Sequence, residues 1–429
     1  MNLVKTSLLN GLAVIIKVAT ALALNKVLAI YVGPAGYAVI GQFQSLLAMV
    51  TTFASGGVNT GVTKYTAEFR ENAQQQEAVV RTAASISLLC ACVFIALLVI
   101  FRKPLAVWTL ADMQFSGVIV WLAVALVPML LNGLLMAILN GRKAVKAYVI
   151  ANISGSLVTA LTAIALVLQF GLYGVLVAMA ISQALSCAVT IWLFQRTRQV
   201  NWKNFLGRIN PDIARRLGGF ALISATSALA APLAQMLIRD GLANRLGWQT
   251  AGLWQALWKI SEMHLMLLTT TLSLYFLPRF SEIKDANRLH QEVMNGYRFV
   301  LPLAIASASL IYLLRGFVVR VLLTAEFQPL TEVLGWQMVG DVLKISSWVM
   351  AYTMISHARV RIFIITELIF TALWVALALG GANMDGLRGA TIGYVLTYAA
   401  YGVTMIFLFS NLLKNIRSKD LKVHVNEPQ

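Results

Sequence analysis

Ionisable side chains stand inside long apolar stretches of this chain. Asp341 and Lys344 lie three residues apart near the middle of one stretch, and Lys259 and Glu262 have the same spacing in another. Residues three apart share one face of a helix. An ionisable residue at the centre of a membrane helix costs about 2.5–3.5 kcal/mol on insertion scales, so these positions are candidates for a function. The remaining candidates are Lys17, Lys26, Arg239, Asp240, His264 and Glu367.

The signs of these charges favour an anionic ligand. Leaving Glu367 and His264 aside, five of the residues are basic and three are acidic. A low-dielectric cavity with a basic surplus attracts anions, and lysine and arginine are the side chains that bind phosphate. A simpler interpretation is that each pair only neutralises itself, so that its helix inserts more cheaply. That interpretation does not account for Lys17, which has no acidic neighbour on its helix, and for His264 a packed, hydrogen-bonded role is favoured over a proton relay.

The composition identifies the kind of protein that must position these charges. Of the 429 residues, 59% are hydrophobic and only 12% are charged, about half the charged fraction of a soluble domain. The net charge of +17 is typical of membrane proteins with basic cytoplasmic loops, and no nucleic-acid partner is predicted. The sequence has no P-loop motif, no H-E-x-x-H motif and no Cys/His cluster. We therefore predict no metal and no other cofactor, and a transporter instead of an enzyme.

The apolar runs predict an all-α polytopic membrane protein with twelve transmembrane helices. A run of about 20 residues is long enough to cross a bilayer. Turn signals mark joints at Gly33-Pro34, at Gly171 and at Gly380-Gly381, and the first run is expected to remain as an uncleaved span. Outside the spans, 23 Lys and Arg residues fall on the side of the N-terminus and 7 on the other. This bias predicts that both termini are cytoplasmic. The predicted spans are 8–31, 37–60, 79–101, 114–139, 148–168, 171–194, 217–243, 250–277, 292–314, 329–356, 362–380 and 386–413.

The two halves of the sequence resemble each other at a shift near 215 residues. RKAVKAYVIAN (142–152) lies over HARVRIFIITE (357–367), and GLYG (171–174) lies over GLRG (386–389). Two parallel six-span repeats predict pseudo-symmetric lobes with a cavity between them. The predicted domains are a lobe at 1–195, a cytoplasmic amphipathic linker at 196–216, a lobe at 217–413 and a cytoplasmic tail at 414–429. Within the linker, Trp202, Phe205, Leu206 and Ile209 have helical spacing. They favour a helix in the lipid headgroup layer over a solvated segment.

Four short stretches resemble a known family. They are GPAG (33–36), GVTKY (61–65), LYFLPRFSE (274–282) and WQMVGDVLK (336–344). Together they resemble the Wzx-type lipid-linked oligosaccharide flippases, of the O-antigen and enterobacterial common antigen type. These flippases belong to the multidrug/oligosaccharidyl-lipid/polysaccharide exporter superfamily. The resemblance extends over essentially the whole chain, except for the tail after about residue 413.

The resemblance implies a substrate and a route. The substrate is an undecaprenyl-diphosphate-linked oligosaccharide, moved by alternating access from the cytoplasmic to the periplasmic leaflet of the bacterial inner membrane. A glycan polymerase and a chain-length regulator are the further partners expected, besides membrane lipids. Basic residues of a central cavity bind the substrate in this family. By position, Lys17, Lys26, Arg239, Lys259 and Lys344 fit that role. Lys64 and Arg142, at the cytoplasmic mouth, are either the first residues to receive the diphosphate or ordinary basic residues of cytoplasmic loops.

The acidic residues suggest a mechanism. Asp341 is expected to hold Lys344 until a phosphate competes for the lysine, and the freed carboxylate could then take a proton. Glu262 with Lys259 is a second candidate pair for such coupling, and Asp240 and Glu367 complete the acidic set. Because the cytoplasm is electrically negative, export of an anion is driven by the membrane potential. We rank that drive above obligatory antiport of protons or sodium.

Three other functions remain open at this point. A multidrug cation antiporter of the same superfamily would need an acidic or aromatic cavity, whereas this one has a basic surplus. A major-facilitator sugar transporter would carry a glycine- and arginine-rich loop where this chain has GVTKYTAEFRE. A scaffold of a glycan-assembly complex would not depend on Lys17 or Lys344.

Overall fold

The computed structural model describes residues 3–196, 205–272, 276–283, 285–357 and 359–425. Within these ranges, the side chains of residues 3–18, 220–225, 227, 267, 270, 271, 277, 278, 281, 360 and 418–425 are outside the described part. Every regular element in these ranges is helical. The α-helices are α1 (Leu3–Ala54), α2 (Asn59–Glu68), α3 (Ala73–Ile100), α4 (Arg102–Leu110), α5 (Ser116–Gly141), α6 (Val145–Arg196), α7 (Pro211–Leu246), α8 (Trp248–Thr271), α9 (Leu277–Glu282), α10 (Ala286–Leu313), α11 (Arg315–Leu322), α12 (Leu330–Ser356) and α13 (Val360–Val425). Short 3₁₀ helices occur at Met113–Phe115 and Ala325–Phe327.

The three longest helices are hairpins. Each is broken by a glycine with positive φ, at Gly33 in α1, Gly171 in α6 and Gly386 in α13. In α1, the Tyr37 hydroxyl donates to the carbonyl of Asn25 at 2.8 Å. Twelve residues of straight helix would separate these groups by about 18 Å, so the chain must fold back between them.

The last hairpin corrects a predicted joint. The turn in α13 lies at Asp385–Gly386, and not at Gly380-Gly381. Gly381 is instead a contact point between the two arms, because a Cβ on it would collide with the carbonyl of Gly389. A glycine in an apolar run can therefore mark close packing of two helices as well as a turn.

Six stretches of the described chain are long and apolar enough to cross a membrane: Ala19–Ala54, Ala73–Ile100, Met113–Gly141, Val145–Arg196, Ala286–Leu313 and Arg361–Arg417. Three of them contain a hairpin turn. A straight helix of 52 residues, the length of α6, would rise about 78 Å, far more than one crossing needs. The arrangement of twelve spans in two lobes stays a prediction.

The chain divides into two compact units, Met1–Leu233 and Ala234–Gln429. In the first, α2, α3 and α5 enclose an apolar core that includes Val62, Val79 and Ile138. In the second, α8, α10 and α12 enclose another that includes Leu268, Val293 and Ile345. The predicted domain boundaries stay predictions.

The internal repeat is visible in the order of elements within each unit. A long helix, a short helix, a 3₁₀ turn, a long helix and a hairpin follow one another from α3 to α6 and again from α10 to α13. The hairpin turns have almost the same dihedral angles, φ 56° and ψ −135° at Gly171 and φ 53° and ψ −136° at Gly386. The GLYG and GLRG motifs therefore perform the same structural task.

The described part of the linker differs from the predicted amphipathic helix. Residues 205–210 are not helical, and Phe205 is buried in the core of the first unit. Ser85 Oγ donates to the carbonyl of Gly207 at 2.9 Å, which holds the segment against α3. Asn210 then caps α7 through hydrogen bonds from the following backbone amides. Pro211 disfavours helical backbone at the residue before it, which explains why α7 begins at Pro211 and not earlier. Trp202 lies outside the described residues.

Candidate functional site

A buried carboxylate, Asp341 on α12, is at the centre of a polar network in the second unit. Its side chain is fully inaccessible to solvent. Ser261 Oγ on α8 and the Tyr394 hydroxyl on α13 both donate to Asp341 Oδ1, at 2.5 and 2.9 Å. The neighbouring Gly340 permits this approach, because a Cβ there would collide with the Tyr394 ring. The carboxylate is thus held by hydroxyl groups from two other helices.

His264 connects this carboxylate to α10. Its Nδ1 lies 3.3 Å from Asp341 Oδ2, and its Nε2 lies 2.9 Å from Ser307 Oγ. Gln337 on α12 donates to Ser261 at 3.2 Å and closes the network on the other side. His264 is packed and hydrogen-bonded, as the sequence analysis favoured.

Lys344 does not form the expected ion pair with Asp341. Its ammonium nitrogen lies among four aromatic rings: 4.9 Å from the ring centroid of Trp258, 5.1 Å from Tyr398, 5.2 Å from Trp348 and 5.8 Å from Tyr394. We call these four rings the aromatic cage. The side chain of Lys344 is buried. Asp341 attracts the ammonium group through its charge but is not within ion-pair distance of it, and its predicted role in holding the lysine stays a prediction. The physical reason for the missing ion pair is that the carboxylate already accepts hydrogen bonds from Ser261 and Tyr394 and contacts His264, while the aromatic faces attract the ammonium group.

The aromatic cage belongs to a larger aromatic cluster. Trp258 stacks on Trp374 at a centroid distance of 4.9 Å and on Trp254 at 5.8 Å. Trp374 is almost fully buried, and its indole nitrogen makes no hydrogen bond with the described chain. An unpaired buried donor costs free energy, so a ligand oxygen at this point would be stabilised.

The second predicted pair does form an ion pair. Lys259 Nζ lies 3.0 Å from Glu262 Oε2, and the indole nitrogen of Trp258 donates to Glu262 Oε1 at 3.0 Å. About a third of the Lys259 side chain and nearly half of that of Glu262 are accessible. This is the geometry that local neutralisation of an i, i+3 pair produces.

Arg239 on α7 is a second buried cation, with a side chain that is fully inaccessible to solvent. Its Nε donates to the carbonyl of Gln235 at 3.0 Å, one turn earlier, and its charge interacts with that of Glu262. The next residue, Asp240, accepts from Asn244 on the same helix at 3.2 Å. Glu367 on α13 is half-buried and interacts electrostatically with Tyr398.

The remaining predicted basic residues belong to the first unit. Lys26 is half-buried in α1, and Lys64 is exposed at 5.3 Å from the ring of Tyr65. Arg142 is half-buried after α5, and burial lowers the pKa of its guanidinium group from the ordinary value. The side chain of Lys17 lies outside the described residues. The substrate-binding role of all of these residues stays a prediction.

The structure adds residues that the sequence analysis did not single out: Trp258, Ser261, Ser307, Gln337, Trp348, Tyr394 and Tyr398. The sequence contained a pattern that could have indicated some of these residues. Trp348 follows Lys344 by four residues, and Tyr394 and Tyr398 are also four apart, so each pair shares a helix face. Among the described residues, no group of His, Cys, Asp and Glu could hold a metal ion.

Known proteins resemble the chain over nearly its full length. The protein named Lipid III flippase of Escherichia coli K12 is 28% identical over 401 residues, covering 94% of this chain and 96% of that protein. The Shigella flexneri protein of the same name gives the same values. The resemblance found in the sequence motifs is thereby confirmed.

Solved transporter structures share the fold. An inward-facing multidrug resistance transporter of the MATE family, in the MOP superfamily, superposes with a TM-score of 0.78 at 15% identity, covering 94% of this chain and 99% of that one. A MOP superfamily transporter from Pyrococcus furiosus, described as having a binding pocket of reverse polarity, gives 0.72 at 15% identity and covers 96% of both chains. The described part of the chain, whose regular elements are all helical, therefore has a MATE-like transporter fold. The family model of the polysaccharide biosynthesis proteins matches residues 3–284, and the chain belongs to that family.

Proposed function

We propose that this protein is a flippase for an undecaprenyl-diphosphate-linked oligosaccharide, which it moves from the cytoplasmic to the periplasmic leaflet of the inner membrane. The name of the Escherichia coli and Shigella flexneri relatives supports the lipid-linked class of substrate. The family and the transporter fold support a carrier without a catalytic step. In this proposal both termini are cytoplasmic and access to the cavity alternates between the two sides.

The observation that carries the proposal is the buried ammonium group of Lys344, which forms no ion pair with a carboxylate among the described residues. Four aromatic faces hold it. A desolvated cation–π contact contributes about 2 kcal/mol, and a charge-assisted hydrogen bond to phosphate is stronger than a neutral one. A diphosphate that reaches Lys344 can therefore displace the rings without first breaking an ion pair.

Asp341 takes a revised role in this mechanism. It attracts Lys344 without direct contact, and it fixes Ser261 and Tyr394, and through Tyr394 one wall of the aromatic cage. We propose that Asp341 and His264 are the groups through which an ion could couple to transport, whereas Glu262 and Lys259 neutralise each other near the surface.

The membrane potential is the proposed drive. Each negative charge that moves outward gains about 2.3 kcal/mol per 100 mV of membrane potential, so two net charges gain roughly 4–5 kcal/mol at a potential of about 100 mV. A glycan polymerase and a chain-length regulator, as partners that consume the product, would remove it from the outer leaflet.

Reconstitution into proteoliposomes tests the proposal. Purified undecaprenyl-diphosphate oligosaccharide should move between leaflets only when the protein is present, and faster when the compartment from which it leaves is made electrically negative. Transport that ignores the potential but follows a pH or sodium gradient would overturn the proposed drive. Absence of protein-dependent movement, together with failure to restore surface glycan to a flippase-deficient strain, would overturn the function.

A multidrug cation antiporter is the second candidate, because a buried carboxylate among aromatic rings is also suited to an organic cation. Asp341 and the cage would then bind the drug after Lys344 had moved. The same proteoliposomes distinguish the two functions, since the antiporter would take up a fluorescent quaternary ammonium compound in exchange for protons or sodium.

A further inference from the structure

A groove separate from the polar network runs between α10 and α12. It has a volume of about 860 Å³, and its walls are mostly apolar. The walls include Ile305, Ala308, Val339, Val342 and Leu343. Of these side chains, Ile305 and Val339 are exposed. The groove is thus suited to an extended hydrocarbon chain.

One end of the groove carries a fixed positive charge. Tyr312 lines the groove and lies against Gly335 of α12, where a Cβ would approach the Tyr312 ring to 2.9 Å. The guanidinium carbon of Arg315 lies 4.4 Å from the centroid of the same ring, and Arg315 Nη1 donates to the Tyr312 carbonyl at 3.1 Å. Gly335, Tyr312 and Arg315 therefore form a stack that orients the guanidinium group at this end.

The same end carries a negative charge. Glu332 lines the groove one helical turn before Gly335, so that both are on one face of α12. Its carboxylate is exposed and has no ion-pair partner in the described chain, Arg315 included. A carboxylate in the first turn of α12 is favourable for the helix dipole, but this does not explain the arginine stacked on Tyr312 at the same end of the groove.

We propose that this groove binds a zwitterionic phospholipid whose headgroup bears a primary ammonium group. One acyl chain lies along the apolar walls, the phosphate contacts Arg315, and the ammonium group contacts Glu332. An anionic headgroup would satisfy Arg315 but would be repelled by Glu332. A quaternary ammonium headgroup carries the same charges but cannot donate a hydrogen bond to the carboxylate.

Native mass spectrometry of the full chain tests the proposal, with phosphatidylethanolamine, phosphatidylcholine and phosphatidylglycerol titrated into the detergent-solubilised protein. We expect phosphatidylethanolamine to be retained about threefold to tenfold better than the other two, the range of one or two exposed charged contacts. Glu332→Gln should abolish the preference over phosphatidylcholine. Arg315→Ala should weaken the retention of all three lipids, and Val339→Trp should do the same by filling the groove.

Glu326→Gln is the matched control, because Glu326 is also exposed and precedes α12 but does not line the groove. It should leave the preference unchanged. Equal retention of the three lipids by the unmodified protein would mean annular lipid only and would overturn the proposal. A preference for phosphatidylglycerol, or an unchanged preference in Glu332→Gln, would overturn it as well. The unfolding temperature of each variant in lipid-free detergent shows whether a loss of binding reflects a loss of folding.

Discussion

When the two units are aligned at Gly171 and Gly386, a shift of 215 residues, Asp341 and Lys344 of α12 correspond to Leu126 and Met129 of α5. Leu126 and Met129 are apolar and buried. The second unit places a hydrogen-bonded carboxylate and a caged ammonium group at these positions. The order of helices and the hairpin turn do not depend on this difference. The repeat is therefore a scaffold, and the polar centre is a specialisation of its second copy.

The largest expected loss of stability comes from replacing Asp341 of the second unit by leucine, the residue at the corresponding position of the first unit. Asp341→Leu leaves Ser261, Tyr394 and His264 without their shared acceptor. Each buried polar group without a partner costs about 1–3 kcal/mol, so we expect the free energy of unfolding to fall by about 2–5 kcal/mol. Equilibrium unfolding in mixed micelles measures the loss.

Two control variants sharpen that comparison. Asp341→Asn keeps an acceptor of the same shape and should retain more stability than Asp341→Leu. Leu126→Met conserves volume at the corresponding apolar position and should cost less than about 1.5 kcal/mol. If Asp341→Leu is as stable as the unmodified protein, the network contributes no stability and the contrast between the two units is mistaken.

The hairpin turns should respond alike in both units. Gly171 and Gly386 have the same positive-φ conformation, with ψ near −135°, and open space surrounds the position of a Cβ at each. Gly171→Ala and Gly386→Ala should each destabilise by about 1–3 kcal/mol through backbone strain alone. Thermal unfolding of the two variants gives the comparison.

Gly316→Ala is the control for these turns, because Gly316 also has open space around it but lies in α11 without positive φ. It should be neutral or slightly stabilising. Clearly unequal losses at Gly171 and Gly386 would show that the turns are not equivalent.

The smallest effect is expected at the exposed pair of α8. Lys259→Met removes an accessible i, i+3 ion pair, and such pairs contribute about 0–1 kcal/mol. Stability should change within that range, and the change should shrink at high salt. A larger or salt-independent loss, measured by unfolding at two ionic strengths, would place Lys259 in the buried network after all.

Local sequence patterns predicted the membrane class, the repeat and two of the three hairpin glycines, because apolar length and turn residues act over short distances. Gly381 misled the analysis, since an apolar run does not reveal whether a glycine turns the chain or lets two helices touch. The contacts of Lys344 also could not be predicted from the sequence. The spacing to Asp341 offered an ion pair, but the choice of the rings depends on how α8, α12 and α13 pack together.

The most direct test of the central claim is the flipping rate of Lys344→Met in proteoliposomes, compared with Lys259→Met at equal reconstitution. Lys344→Met gives the second unit the apolar residue of the first and removes the charge offered to the diphosphate. We predict that its rate falls by at least about tenfold, the equivalent of 1.4 kcal/mol, while Lys259→Met stays within about twofold. Equal rates for Lys344→Met and the unmodified protein would contradict the account, as would normal surface glycan in a flippase-deficient strain that carries the variant.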